Sequence, residues 1–135
     1  MTDRMPPIVA LLSDFGLQDH YVGAMKGAVL AACPEAALVD VVHDLPAHDV
    51  MAGALALEAA YAAFPARTVF LAVVDPGVGS ARRGLAARAG GYLFVGPDNG
   101  ILSLVLSEDP RCEIRALTNA GLFRHEVSPV FHGRE

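Results

Sequence analysis

Acidic residues stand at the ends of the apolar runs in this chain, and one of them is followed closely by two arginines. In FLAVVDPGVGSARRG, residues 70–84, an apolar run stops at Asp75-Pro76-Gly77, and Arg82 and Arg83 come seven and eight residues after the acid. A carboxylate held near a guanidinium can orient a water, accept its proton and stabilise developing negative charge. The competing explanation is an Asp-Pro turn followed by solvated arginines. The pattern recurs along the chain, as Ser13-Asp14-Phe15-Gly16, as His43-Asp44, and as Gly96-Pro97-Asp98-Asn99-Gly100.

Positioning such groups requires strands whose ends share one edge. IVALL (8–12) is apolar throughout and bounded by Pro7 and Ser13, as expected of a strand buried on both faces. A helix is expected over 19–33, with Asp19 as N-cap, Val22, Met25, Val29 and Ala32 on one stripe, and Pro34 ending it. ALVDVV (37–42) reads as a second strand. A second helix is expected over 49–64, capped by Asp49, with Val50, Ala54, Leu57, Tyr61 and Phe64 on its stripe and Pro65 terminating it. TVFLAVV (68–74) is the third strand. The order β-α-β-α-β with short connections predicts an α/β fold, a doubly wound, mainly parallel sheet flanked by helices. Beyond it come a hairpin over 84–96 turning at Gly90-Gly91, a short helix over 100–109, a strand over 112–117 and an extended piece over 126–135. All four polar exits then lie at the carboxyl edge of the sheet, where open α/β sheets bind ligands. The second helix has almost no polar residue besides Glu58, which points to burial or to an oligomer.

Two apparent motifs fail on context. Asp14-Phe15-Gly16 matches the magnesium-binding triplet of protein kinases but lacks the accompanying glycine-rich and catalytic loops. GVGSARRG lacks the ending of a phosphate loop, and a strand-like segment follows it where a helix should open. The histidines sort unevenly. His20 and His125 read as surface or capping residues, His43 and His48 flank a loop at the ligand edge, and His132 closes the extended VFHGRE segment. The carboxylates do not cluster with histidines at ligand spacing, so no metal is expected.

Bulk properties set the class. At 135 residues, 53% apolar and 19% charged, the chain reads as one globular domain over 1–135. A net charge of −5 provides no basic footprint for nucleic acid or an anionic membrane. Cys33 and Cys112 fit no metal or redox spacing, and the first apolar run is too short for a signal peptide or a span, so a cytoplasmic protein is expected.

The segments LLSDFGLQDHYVGAMKG, VVHDLPAHDV, AVVDPGVGSARR, VGPDNGILS and FHGRE, in that order, resemble the successive motifs of the S-adenosyl-L-methionine (SAM) hydroxide adenosyltransferases, or SAM hydrolases, which are hydrolytic relatives of the SAM-dependent fluorinase and chlorinase. The resemblance implies hydrolysis of SAM to adenosine and L-methionine, with water attacking ribose C5′ in line. It implies a catalytic triad of Asp75, Arg82 and His132. It places Asp14 at the ribose hydroxyls, Asp19 near the amino group of the methionine part and His48 beside the ribose; Asn99 lies in a motif near the site without an assigned contact. SAM would be the substrate, with no cofactor. The halogenating relatives carry tyrosine in place of Asp75 and Tyr-Ser in place of His132-Gly133, so halide chemistry is not expected. Family members continue into a β-rich C-terminal domain that grips adenine, and they form a trimer with the site between subunits. This sequence ends at Glu135, where the family usually has Asp. It therefore implies either an enzyme, homo-oligomeric and completed by a C-terminal domain on a separate chain, or a catalytically silent α/β module that binds SAM or adenosine weakly or only oligomerises.

Overall fold

The computed structural model describes residues 5–77 and 82–118. Its elements are β1 (Ile8–Ser13), α1 (Tyr21–Ala32), β2 (Ala37–Val42), α2 (Val50–Ala60) with a 3₁₀ turn at Tyr61–Ala63, β3 (Val69–Val73), β4 (Gly84–Ala89), β5 (Tyr92–Pro97), α3 (Ser103–Ser107) and β6 (Glu113–Ala116). They form one six-stranded sheet in the order β2-β1-β3-β5-β4-β6. β2, β1, β3 and β5 run parallel, while β4 pairs antiparallel with both β5 and β6.

The sheet is covered on both faces, and strand alternation decides what meets which helix. Ala10, Leu12, Phe70, Ala72 and Val74 belong to a cluster with Leu57 of α2 and Val105 of α3. Their sequence neighbours Leu11 and Val73 join Met25 of α1, with Val9, Phe15 and Leu71 packed around them. Thus β1 and β3 are buried on both sides, as their unbroken apolar runs require. Two glycines permit close approach. A Cβ on Gly96 of β5 would come within 2.9 Å of the Ala72 carbonyl oxygen, and one on Gly53 of α2 within 2.9 Å of Ile101 Cδ1.

The expected fold class is present, and so is the hairpin turn: Gly90 and Gly91 adopt φ of +58° and +85°. Asp49 caps α2 by accepting the Ala52 amide at 2.9 Å. Three local expectations are corrected. The N-cap of α1 is His20, without a side-chain bond, so Asp19 does not cap it. α2 stops at Ala60 and tightens into a 3₁₀ turn, with Phe64 extended at ψ 156°; a residue before proline is disfavoured in the helical region, and Pro65 follows. α3 is shorter than expected, spanning Ser103–Ser107, and Gly100, at φ +93°, lies outside it. Among the described residues, no helix is long and apolar enough to cross a membrane.

Candidate functional site

β1 and β3 are adjacent and parallel, with Ser13 in register with Val73. From β1 the chain passes through α1 to β2 on one side, whereas β3 leads on to β4 and β5 on the other. The strand order therefore reverses at β1/β3, and the crevice at their carboxyl ends is the switch point where doubly wound sheets bind ligands. Asp14 follows β1 directly, and Asp75 follows β3 after one residue.

Arg82 folds back on Asp75. Its Nε donates to Asp75 Oδ2 at 2.8 Å, and Nη2 donates to the same oxygen. The side chains are 6% exposed for Asp75 and 17% for Arg82. The other oxygen, Oδ1, is buried and has no hydrogen-bond partner among the described residues. Buried carboxylate oxygens are ordinarily satisfied, and one left bare at a ligand edge is positioned to accept a hydrogen bond from a bound molecule. Arg83 is committed elsewhere: its Nη2 donates to Asp98 Oδ2 at 2.9 Å, and its carbonyl accepts the Asp98 amide at 2.7 Å. The two consecutive arginines thus have separate tasks, one at the acid and one latching β4 to β5.

Asn99 steadies this edge through the backbone. Its Nδ2 donates to the Val74 carbonyl at 2.8 Å, and its Oδ1 accepts the Ile101 amide at 3.1 Å. The residue immediately before Asp75 is thereby tied to the end of β5. Asp14 is half-buried, and its Oδ2 accepts the His48 backbone amide at 2.7 Å. His48 itself is exposed and holds a left-handed conformation, φ +63°, that few non-glycine residues adopt. Asp19 is exposed in the turn before α1 and takes no part in the hydrogen bonds that fix Asp14, Asp75 and Asn99. His132 lies outside the described residues.

His43 does not line a pocket. It is 3% exposed and wedged between Ser13 and Asp40, a cluster that sequence reading did not assemble. Lys26 contacts the outer side of Asp40 at 2.8 Å. Burial works against ionising Asp40, but the hydrogen bonds from Lys26 and His43 outweigh it and hold the carboxyl below its ordinary value. Among the described residues, no three His, Cys, Asp or Glu side chains converge as a metal site would require.

Residues 9–135 match the family described as the SAM hydroxide adenosyltransferase N-terminal domain. The chain belongs to this family. Its relatives include (R)-S-adenosyl-L-methionine hydrolases; that of Salinispora tropica is 42% identical over 131 residues, covering 96% of this chain and 49% of its own length. A fluorinase from Actinoplanes sp. is 31% identical over 152 residues, covering 96% of this chain and 51% of its own. The crystal structure of an uncharacterized conserved protein from Thermotoga maritima superposes with a TM-score of 0.90 at 38% identity, covering 94% of this chain and 49% of that one. The chain spans about half the length of the curated relatives it matches.

Proposed function

We propose that this domain carries the hydrolytic centre of a SAM hydrolase, converting SAM to adenosine and L-methionine with no cofactor. The observation that carries the reading is the division of labour on Asp75, where Arg82 holds Oδ2 while Oδ1 stays buried and has no partner among the described residues. Water oxygen attacks C5′, the C5′–S bond breaks, and its electron pair neutralises the sulfonium to give the thioether of methionine. Such a leaving group needs no general acid. The demands are a water held in line and a base for its proton. Asp75 Oδ1 orients the water and takes the proton, and Arg82 offsets the charge on the pair. By family resemblance, His132 completes this triad, Asp14 binds the ribose hydroxyls, His48 lies beside the ribose and Asp19 faces the substrate amino group. Asn99 acts through Val74, fixing the strand end from which Asp75 projects.

Halide transfer is the poorer reading. An anion about 4 Å from the bare carboxylate oxygen would meet a repulsion of roughly 4 kcal/mol at an effective dielectric near 20, reduced by Arg82, whereas water donates to the same oxygen. The greater identity to a hydrolase than to a fluorinase supports the same choice. The proposed setting is a cytoplasmic homotrimer completed by a C-terminal domain, without nucleic acid or membrane partners. The apolar face of α2 supports assembly, since Met51 and Leu55 are 60% and 51% exposed. The decisive experiment is chromatographic detection of adenosine from SAM, with Asp75→Ala as control. Adenosine and methionine in equal amounts, lost in the variant, are the expected result. A folded chain that forms none, even when supplied with a relative's C-terminal half, overturns the reading in favour of a silent module.

A further inference from the structure

A chain of polar groups runs from the flank of α1 to the buried end of β1. Lys26 Nζ donates to Asp40 Oδ2 at 2.8 Å, Asp40 Oδ1 lies 2.8 Å from His43 Nε2, and His43 Nδ1 lies 2.6 Å from Ser13 Oγ. The residue types invite a nucleophilic Ser-His-Asp reading, but Ser13 is fully buried and no substrate reaches its hydroxyl. The hydrogen bonds instead assign directions. An ionised Asp40 only accepts, so His43 Nε2 carries the proton and donates to it. Nδ1 then accepts the Ser13 O–H, and Ser13 Oγ accepts the Phe15 amide at 3.3 Å. Each buried polar group is satisfied, with the His43 ring relaying the order from a carboxylate on β2 to a hydroxyl on β1.

The chain ends on the segment that carries Asp14. Ser13 is held by the His43 ring, and Gly16 donates its amide to the His43 carbonyl at 2.7 Å. One residue of β2's exit therefore grips the β1 exit on both sides of Asp14, while the Asp14 carboxylate itself is held only by the His48 amide among the described residues. We propose that Lys26, Asp40, His43 and Ser13 form a positioning relay that fixes the direction in which Asp14 presents its carboxylate to the ribose hydroxyls. The relay rests on the reading of Asp14 given above. None of its four members touches substrate; each acts through the backbone of residues 13–16.

Two readouts test it. Nitrogen NMR of the histidine-labelled protein should show His43 as the Nε2–H tautomer, and Ser13→Ala should shift the His48 and Gly16 amide resonances. In the hydrolysis assay Ser13→Ala should raise KM for SAM about tenfold with kcat nearly unchanged, because ribose binding is common to ground and transition states. Lys26→Met, at the exposed end where folding is not endangered, should produce a smaller change of the same kind, and Lys26→Arg should restore it. An Nδ1–H tautomer, unmoved His48 and Gly16 amides in a folded Ser13→Ala protein, or a fall in kcat at constant KM would each overturn the relay. The amide shifts need no turnover. Asp14→Asn separates the two ideas: if it leaves KM unchanged while Ser13→Ala moves the His48 amide, the relay stands and the ribose role of Asp14 falls.

Discussion

Replacing Asp75 by alanine should destabilise the protein less than replacing it by asparagine, although asparagine is the nearer isostere. In the wild-type protein Arg82 donates charge-assisted bonds to Oδ2, worth about 1.5–3 kcal/mol, while the unpartnered buried Oδ1 costs about 1–3 kcal/mol. Alanine removes both terms. They oppose one another, so the net change should stay within about 2 kcal/mol, and a guanidinium that is already 17% exposed can regain water. Asparagine weakens the contact with Arg82 and leaves a buried amide group in place of the bare oxygen, so it should sit about 1–3 kcal/mol below the alanine variant. At roughly 3–4 °C per kcal/mol for a domain of this size, the asparagine variant should melt about 3–12 °C below it. Thermal unfolding followed by circular dichroism at pH 7 measures the order, and urea unfolding checks the free energies. Both variants should lose at least about a hundredfold in adenosine formation. If asparagine melts at or above alanine, Oδ1 has a partner in the folded protein and the case for it as the water's acceptor collapses.

Arg82→Ala should abolish adenosine formation, whereas Arg83→Ala should keep it and cost less than about 1 kcal/mol, since the Arg83–Asp98 pair is largely solvent-exposed; parallel assays and melts on the two neighbours decide this. Asn99→Ala removes the bonds to Val74 and Ile101 and should cost about 2 kcal/mol in urea unfolding, with kcat falling more than KM rises if Asp75 is thereby misplaced. Tyr61 donates to Glu108, and this bond, with burial and the Glu108 charge behind it, raises the phenol to about 12. A raised folded value means the stabilisation is whole below the unfolded value near 10 and fades as pH climbs towards about 12, so Tyr61→Phe should flatten the fall of melting temperature across that window.

The sheet was legible because β1 and β3 are buried on both faces, and such strands read as nearly unbroken apolar runs. That alone brings Asp14 and Asp75 to one edge. The pairing of Asp75 with Arg82 followed from the family motif, but the separate task of Arg83 did not, since it depends on Asp98 arriving from β5. Asn99 resisted assignment for a similar reason. Its partner is a main-chain carbonyl 25 residues away, and a sequence shows which side chains can donate without showing which carbonyl they will meet. Asp19 misled because an acid ahead of an apolar stripe is a strong capping signal, and nothing local reveals that the turn will continue one residue further.

The relay behind Asp14 was the least legible part, and a backbone irregularity explains why. Asp40 and His43 are three residues apart, an odd offset that sends side chains to opposite faces of a regular strand. β2 is not regular there: Leu11 is in register with Asp40 but Leu12 with Val42, so one residue is inserted relative to β1. An inserted residue reverses the alternation, which lets the His43 ring turn back to Asp40 while reaching Ser13 across the gap. Period-two reading of ALVDVVHD therefore puts His43 on the wrong side. In the sequence the residue only flanks a loop at the ligand edge, whereas its surroundings make it a buried connector. Bulges of this kind re-aim side chains beside ligand sites, and here the element that is re-aimed holds the segment carrying Asp14.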